Sequence, residues 1–361
     1  MALGVSNMTF FKPHIVELAV PAPHSRATGR SSAYSKSRAR APLAENTLLG
    51  SQGAYRIEKL IGMGSFSLIY SAVDTRTRLN VVIKEYFPKR YAKRKPDDQV
   101  VSLRGNRQMA FTEGVRRFYN EALMLKKVSH PNVLDVHDLV RANSTTYLVS
   151  LNKGGRDLKW FLSSFAESLE QDLICKVFMP ILSALHFMHD AQLLHLDIKP
   201  ANILLQPNSE SLLLDFGAAQ MMDTEIQARH KRIVTHGYAP PEQYEKRGNL
   251  GPWTDIYAMG AAIYFCITAR PPVKSKGRTV ASQLEVECYS DEYSTALLHA
   301  VNRALSYEIS ERFDSVDEFA AALLNGSRWA SLSEYEAGVM AYDRNAQAVK
   351  RAQKELANYA D

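Results

Sequence analysis

The 361-residue chain is long enough for one large domain or for two modest lobes around a cleft, and its 46% hydrophobic and 23% charged content is that of a globular protein. Its longest uncharged stretch, 256–269, is shorter than the roughly 20 residues a bilayer requires, so no membrane span is expected; three cysteines (Cys175, Cys266, Cys288), odd in number and without metal-ligand or framework spacing, argue for a reducing, cytoplasmic compartment. Of the net charge of +6, +4 comes from residues 1–50, where six Lys/Arg face Glu17 and Glu45; the remainder is nearly balanced, which argues against nucleic acid as a partner.

Residues 1–52, rich in Ser, Arg, Ala and Pro and without sustained periodicity, read as a disordered basic extension. They are also acid-poor, as transit peptides and some secretion signals are, so export as a secreted effector is a second expected location. Alternation at 55–60, a break at Gly62 and Gly64, and apolar residues again at 68–73 spell strand, Gly-rich turn, strand. A short apolar strand at 80–84 ends in Lys84, and a polar, basic insert follows at 88–107. Phe118, Leu123, Leu125 and Val128 then recur at helical spacing over 117–128, with Glu121 among them. Two more strands are expected at 133–140 and 146–151. Beyond Gly154 and Gly155 the pattern becomes helical: 173–189, 254–268, and on to about Leu324, with short strand-and-loop units at 195–205 and 212–217. The expectation is α+β, with a strand-rich lobe at 53–150 and a helical lobe at 151–325. Residues 326–361 form a separate helical tail. Ser331 and Glu334 could make a capping box there, and Tyr335, Val339, Tyr342, Ala346, Val349 and Leu356 fall on heptad spacing, suiting either packing on the second lobe or self-association.

The chemistry lies in four segments. Gly62-Met63-Gly64-Ser65-Phe66-Ser67 lies between two strands, where glycines let backbone amides approach a polyphosphate; Ser67 stands where G-x-G-x-x-G has its third glycine. Lys84 ends an apolar strand, and a lysine there requires anionic partners such as phosphate oxygens or Glu121. In His195-Leu196-Asp197-Ile198-Lys199-Pro200-Ala201-Asn202, Asp197 can accept a hydroxyl proton, Lys199 can neutralise a phosphate, and Asn202 can present an amide oxygen to a metal. Asp215, ahead of Phe216 and Gly217 at the end of an apolar strand, is a natural ligand for a hard cation.

In this order these segments resemble the eukaryotic-type protein kinase family over residues 55–325. Further matches follow: Tyr238-Ala239-Pro240-Pro241-Glu242 resembles the A-P-E motif, Asp255 with Gly260 the D-x-x-x-x-G of the central helix, and Arg312 the arginine that pairs with the A-P-E glutamate. The run Lys84-Glu85-Tyr86-Phe87-Pro88, with Phe111 and Gly114 ahead of Glu121, is similar to bacterial serine/threonine kinases. The resemblance implies a bilobal fold, ATP and Mg²⁺ (with Mn²⁺ as a substitute), and protein substrates bearing Ser or Thr hydroxyls. It implies that Ile61, Gly62, Met63, Gly64, Ser65, Phe66, Ser67 and Ile69 cover the phosphates. Lys84 would hold the α- and β-phosphates and pair with Glu121, and Asn202 and Asp215 would hold the metal. Asp197 would be the base, assisted by Lys199 and Thr235, and Val82 and Leu204 would sandwich the adenine. Leu151 to Lys153 would form the hinge, with Ser150 guarding the pocket behind it.

Leu196 departs from the family, whose arginine at this place meets a phosphorylated activation loop. Activity independent of such phosphorylation is therefore expected; 218–234 holds one hydroxyl residue, Thr224. The alternatives are a nucleotide-binding scaffold without transfer, favoured by Ser67 and Leu196, a small-molecule phosphotransferase, disfavoured by 235–242 with Arg312, and nucleic-acid binding through the basic extension. His186, His189 and His195 lie close together but lack a ligand pattern, and no metal site is expected from them.

Overall fold

The computed structural model describes residues 40–103, 107–126, 128–165, 168–206, 210–222, 234–275 and 289–325. The extension before residue 40, Thr224, Cys288, and the tail at 326–361 with Ser331, Glu334 and its heptad positions lie outside the described residues.

The first lobe is a twisted antiparallel sheet. Its strands are β1 (Leu48–Leu49), β2 (Tyr55–Met63), β3 (Ser67–Asp74) and β4 (Asn80–Tyr86). A small hairpin, β5 (Ala92–Arg94) and β6 (Val100–Ser102), and helix α1 (Arg107–Leu125) intervene before β7 (Asp138–Ala142) and β8 (Thr145–Leu151) complete the sheet, in the order β1-β2-β3-β4-β8-β7. Successive strand residues point to opposite faces. Leu68, Tyr70 and Ala72 of β3, Val81 and Ile83 of β4, and Tyr147 and Val149 of β8 are buried on one face. Cross-strand partners share a face, so the register Ile69↔Lys84, Lys84↔Leu148 and Val82↔Ser150 places these residues together on the other.

Three expectations change here. Residues 40–52 are not wholly disordered: Leu43 and Leu49 join the core and Leu48–Leu49 pairs with β2. The helix expected over 117–128 starts ten residues earlier, at Arg107. Tyr86 explains the extra turns, because its ring packs 6.0 Å from that of Phe111 and 5.6 Å from that of Phe118. A side chain at Gly114 would collide with the Tyr86 hydroxyl, so glycine stands where strand and helix approach most closely. The strand expected at 133–140 begins at Asp138, and Val133 makes only an isolated bridge to Leu213.

The second lobe opens with β9 (Arg156–Asp157), α2 (Leu158–Phe165) and α3 (Gln171–Asp190). In α3, Ile174, Val177, Phe178, Ile181, Leu182 and Leu185 recur at helical spacing and are buried. It is the only helix among the described residues long and apolar enough to cross a membrane, and 72% of that window is buried inside the protein, so its apolar residues serve the core. Next come β10 (Leu193–Leu194), β11 (Ile203–Leu205), β12 (Ser211–Leu213) and β13 (Gln220–Met221), which pair as β12-β11-β9 and β10-β13. Then follow α4 (Pro241–Tyr244), α5 (Pro252–Thr268), α6 (Thr295–Ala304) and α7 (Val316–Leu324). Ser294 and Ser315 cap the last two, accepting from the amides of Leu297 and Glu318 at 3.2 Å. The α+β, two-lobed expectation is borne out.

Candidate active site

The loop after β10 is fixed from beneath. Asp255, buried in the first turn of α5, accepts from the amides of His195 and Leu196, each at 2.8 Å, and from His189 Nε2 at 2.9 Å. Burial alone would raise the Asp255 pKa, but the His189 hydrogen bond and the charges around it bring it below the usual carboxylate range. These bonds hold Leu196 at φ 62°, a left-handed conformation that a branched residue adopts only under constraint. His195 Nε2 lies 3.1 Å from the Leu214 carbonyl, which can only accept; the ring proton therefore sits on Nε2, and Nδ1 accepts from the Asp197 amide at 3.3 Å. Burial lowers the His195 pKa and keeps the ring neutral. His186 meets Asp317 at 3.0 Å and Asp190 at 3.5 Å, so the three imidazole rings have separate partners.

This loop aims Asp197. Its Oδ1 accepts from Thr235 Oγ1 at 2.6 Å, and its Oδ2 accepts from Lys199 Nζ at 2.6 Å and from Asn202 Nδ2 at 3.2 Å. Asn202 Nδ2 also donates to the Asp197 carbonyl at 2.8 Å, and Lys199 lies 3.3 Å from Thr235 Oγ1. Four residues expected to act together are thus in mutual contact across 38 positions of sequence. The Asn202 bonds went unforeseen; they use the amide nitrogen and leave the side-chain oxygen as its remaining donor atom. Charge-assisted bonds of this kind are roughly twice as strong as neutral ones, so Asp197 is held rigidly.

Lys84 sits between two acids, and the Glu121 charge favours its ammonium as the Asp215 charge does. The hydrogen-bonded ion pair of Lys84 is with Asp215 Oδ1 at 2.5 Å. Burial raises the Asp215 pKa, but the Lys84 charge and hydrogen bond dominate and bring it to about 2, so this carboxylate is ionised. Burial pushes Glu121 up to about 7; Lys84 offsets part of that, and the Asp215 charge adds to it. Gly217 lies against both acids: a Cβ there would meet Asp215 Oδ1 at 3.1 Å and lie 3.8 Å from Glu121 Oε1. Asp215 itself has φ 55° and accepts from the Gly217 amide at 3.2 Å.

Above these residues, β2 and β3 form the Gly-rich hairpin. Ile61, Met63 and Phe66 are exposed at its tip, and Gly62 pairs with Ile69. Ser67, in place of a third glycine, is buried at the start of β3, and its carbonyl accepts from the Gly64 amide at 2.9 Å. Val82 shares a face with Ser150, whose hydroxyl is 3.4 Å from the Val82 carbonyl. Leu204 is half-buried and pairs with Leu212 and Asp157. Leu151 pairs with Val81, on the opposite face from Val82, so its side chain does not join that face; Lys153 is exposed beyond the strand.

Further down, Arg312 is buried and donates to Glu242 at 2.8 and 3.1 Å and to the carbonyls of Ser306, Tyr307 and Trp253. Gln243 Nε2 donates to the Leu196 carbonyl at 2.7 Å, joining this region to the loop that carries Asp197. Leu196 is buried in an apolar cluster with Leu194, Ala218 and Leu250. Sequence reasoning missed Arg40, which reaches the Gly-rich turn from a segment whose composition gave no structural signal.

A family profile described as protein kinase domain matches residues 55–326. A solved structure described as PpkA-294 apo form superposes with a TM-score of 0.69 at 33% identity, covering 78% of this chain and 99% of that one. The probable serine/threonine-protein kinase PknB of Lactococcus lactis is 26% identical over 277 residues, 73% of this chain and 40% of that protein. Serine/threonine-protein kinase Pkn1 of Myxococcus xanthus is 26% identical over 294 residues, 78% of this chain and 39% of that protein. CBL-interacting protein kinase 2 of Oryza sativa is 28% identical over 224 residues, 62% of this chain and 46% of that protein. The chain spans less than half the length of these curated relatives.

Proposed function

The chain belongs to the protein kinase domain family, and we propose that it transfers the γ-phosphate of ATP to serine or threonine hydroxyls of proteins, with Asp197 as the base. The observation that carries this reading is the threefold grip on the Asp197 carboxylate by Thr235, Lys199 and Asn202. Asp197 takes the proton of the substrate hydroxyl, whose oxygen bonds to the γ-phosphorus as the bond to the β-bridging oxygen breaks and ADP leaves. Lys199 stands beside Asp197, where it can neutralise the incoming phosphoryl oxygens. Transfer of this kind depends on positioning and electrostatics, which rigid loops supply.

The donor set suits Mg²⁺. Asp215 is ionised and Asn202 retains its amide oxygen, both hard oxygen ligands, and glycine at 217 keeps the Asp215 oxygens uncrowded. The metal, when bound, would neutralise phosphate charge. Lys84 would then exchange Asp215 for phosphate oxygens and Glu121, and Ile61–Ile69 would cover the phosphates from above, with Val82 and Leu204 against the adenine.

Leu196 supports activity without activation-loop phosphorylation. Its side chain is sealed among Leu194, Ala218 and Leu250, and an apolar cluster offers nothing to a phosphate. We place the protein in a bacterial cytoplasm, with export through the basic extension as the second location and self-association through the tail at 326–361.

The test is radiolabelled phosphate transfer from ATP to casein and to the protein itself. Asp197→Ala should lower transfer by about 10²–10⁴-fold while the protein stays folded. Wild-type protein that binds nucleotide but transfers nothing would establish the scaffold reading instead. Thr224→Ala should retain turnover; its loss in a folded variant would overturn phosphorylation independence.

A further inference from the structure

We propose that Arg40 is a positioning residue for the nucleotide: it ties the Gly-rich turn to the strand that carries Lys84 and so sets affinity for ATP. A single nitrogen of its guanidinium, Nη2, donates to the carbonyl of Gly64, to that of Ser67 at 3.0 Å and to that of Phe87 at 3.3 Å. Gly64 and Ser67 are the two ends of the turn, and Phe87 follows directly on β4. The tip is tied to the same place through its backbone, since the Phe87 amide donates to the Phe66 carbonyl at 2.7 Å and the Lys89 amide to the Ser65 carbonyl at 2.9 Å.

Arg40 can act on the turn because its own segment is anchored elsewhere. The next residue, Ala41, accepts from Arg94 Nε at 2.8 Å, and the Leu43 amide donates to the Tyr70 hydroxyl at 3.1 Å. Arg94 and Tyr70 converge on Glu85, a fully buried carboxylate: Arg94 lies at 2.6 Å, and the Tyr70 and Tyr147 hydroxyls each lie at 2.8 Å. Glu85 follows Lys84 in β4 and points to the opposite face. Breaking a buried, fully bonded ion pair of this kind is costly, so the anchor is rigid. The turn is therefore held between a core network and the strand bearing Lys84, and its conformational freedom is spent before nucleotide arrives. Ordering a loop in advance raises affinity without adding a contact to the ligand. Arg40 Nε is buried without a hydrogen-bond partner among the described residues, a cost that the Nη2 bonds and the Phe87 ring, 6.0 Å from the guanidinium carbon, offset.

The inference rests on the reading of this turn as the phosphate cover, and the experiment separates the two. Affinity for MgADP and steady-state kinetics with casein would be measured on the full chain for wild type, Arg40→Ala, Arg40→Lys and Lys84→Met. Arg40→Ala should weaken MgADP and raise the KM for ATP about tenfold, with kcat within about threefold and the KM for casein unchanged. Arg40→Lys keeps the charge but not the planar fork and should fall between, and it serves as the test should Arg40→Ala not fold. Amide hydrogens of 64–67 should exchange faster in both. Wild-type affinity in folded Arg40→Ala or Arg40→Lys, or a lowered melting temperature with unchanged KM for ATP, overturns the inference. Unchanged MgADP affinity in Lys84→Met would instead overturn the placement of the phosphates.

Discussion

Replacing Glu121 with glutamine should abolish a pH dependence that Glu121 imposes on stability. The carboxyl is held up at about 7 by burial, against an ordinary value of 4.5, with Lys84 committed to Asp215 and offsetting only part of the effect. A carboxyl whose pKa is higher in the folded state binds more protons there than in the unfolded chain, so raising the pH through this interval costs stability. For pKa values of about 4.5 and 7, the cost is about 1.4 kcal/mol at pH 5.5 and about 3.4 kcal/mol at pH 8, a difference of about 2 kcal/mol. His130, lowered by burial to about 4, and His195, also lowered, act in the opposite direction, since burying a neutral histidine stabilises more as pH rises. Both histidines are present in the two proteins, so they cancel in the comparison. Urea unfolding of wild type and Glu121→Gln at pH 5.5, 6.5, 7.5 and 8 should show wild type losing about 2 kcal/mol relative to the variant across the series. Adding Asp215→Asn to both should flatten the difference, because Lys84 is then free to pair with Glu121 and draw its pKa down. Parallel curves within about 0.5 kcal/mol in the parent pair would refute the reasoning, and so would a difference that persists with Asp215→Asn.

Thr235→Val keeps the shape and removes the hydroxyl that fixes Asp197 Oδ1, so kcat should fall about 10–100-fold with KM for ATP unchanged, read in the same transfer assay. Arg312→Met removes both guanidinium bonds from the buried Glu242 carboxylate and should destabilise by about 3–5 kcal/mol, lowering the melting temperature by roughly 6–20 °C. Glu242→Gln in the same chain should recover part of that loss, which scanning calorimetry of the four-member cycle would show. Leu196→Arg forces a charge among Leu194, Ala218 and Leu250 and should destabilise by about 3 kcal/mol or more without creating a need for loop phosphorylation, measured by thermal melts and by activity before and after phosphatase treatment.

What was legible in the sequence is what a few consecutive residues dictate. The alternation in β2, β3 and β8 and the spacing of α3 follow from burying one face, and 195–202 carries its chemistry within eight positions. The first turns of α1 were illegible because 107–116 mixes polar and apolar residues around Gly114, a poor helix former; the helix is stabilised by packing on Tyr86, a residue 25 positions before Phe111 in chain order. The Lys84 pairing was illegible for a related reason. Two acids compete for one ammonium, and the outcome depends on burial and distance, which no spacing encodes. Arg40 was hidden by averaging, since one functional arginine sat among basic residues of a stretch whose composition signals disorder.

These points meet in β4. Lys84 faces Asp215, while Glu85, one residue on, faces the opposite side of the sheet and holds Arg94, Tyr70 and Tyr147. Because neighbours in a strand point to opposite faces, a shift in the Glu85 network must move the backbone that carries Lys84. The segment at 40–43 is bonded to that network at Ala41 and Leu43 and to the Gly-rich turn through Arg40. In the second lobe, the position where the family places a phosphate-binding arginine is occupied by Leu196, sealed in apolar contacts. If transfer is independent of loop phosphorylation, as proposed, the geometry of the nucleotide site must be set by other contacts. On the proposed reading the segment at 40–43 supplies one, since Arg40 is bonded both to the Gly-rich turn and to Phe87, the residue that follows β4.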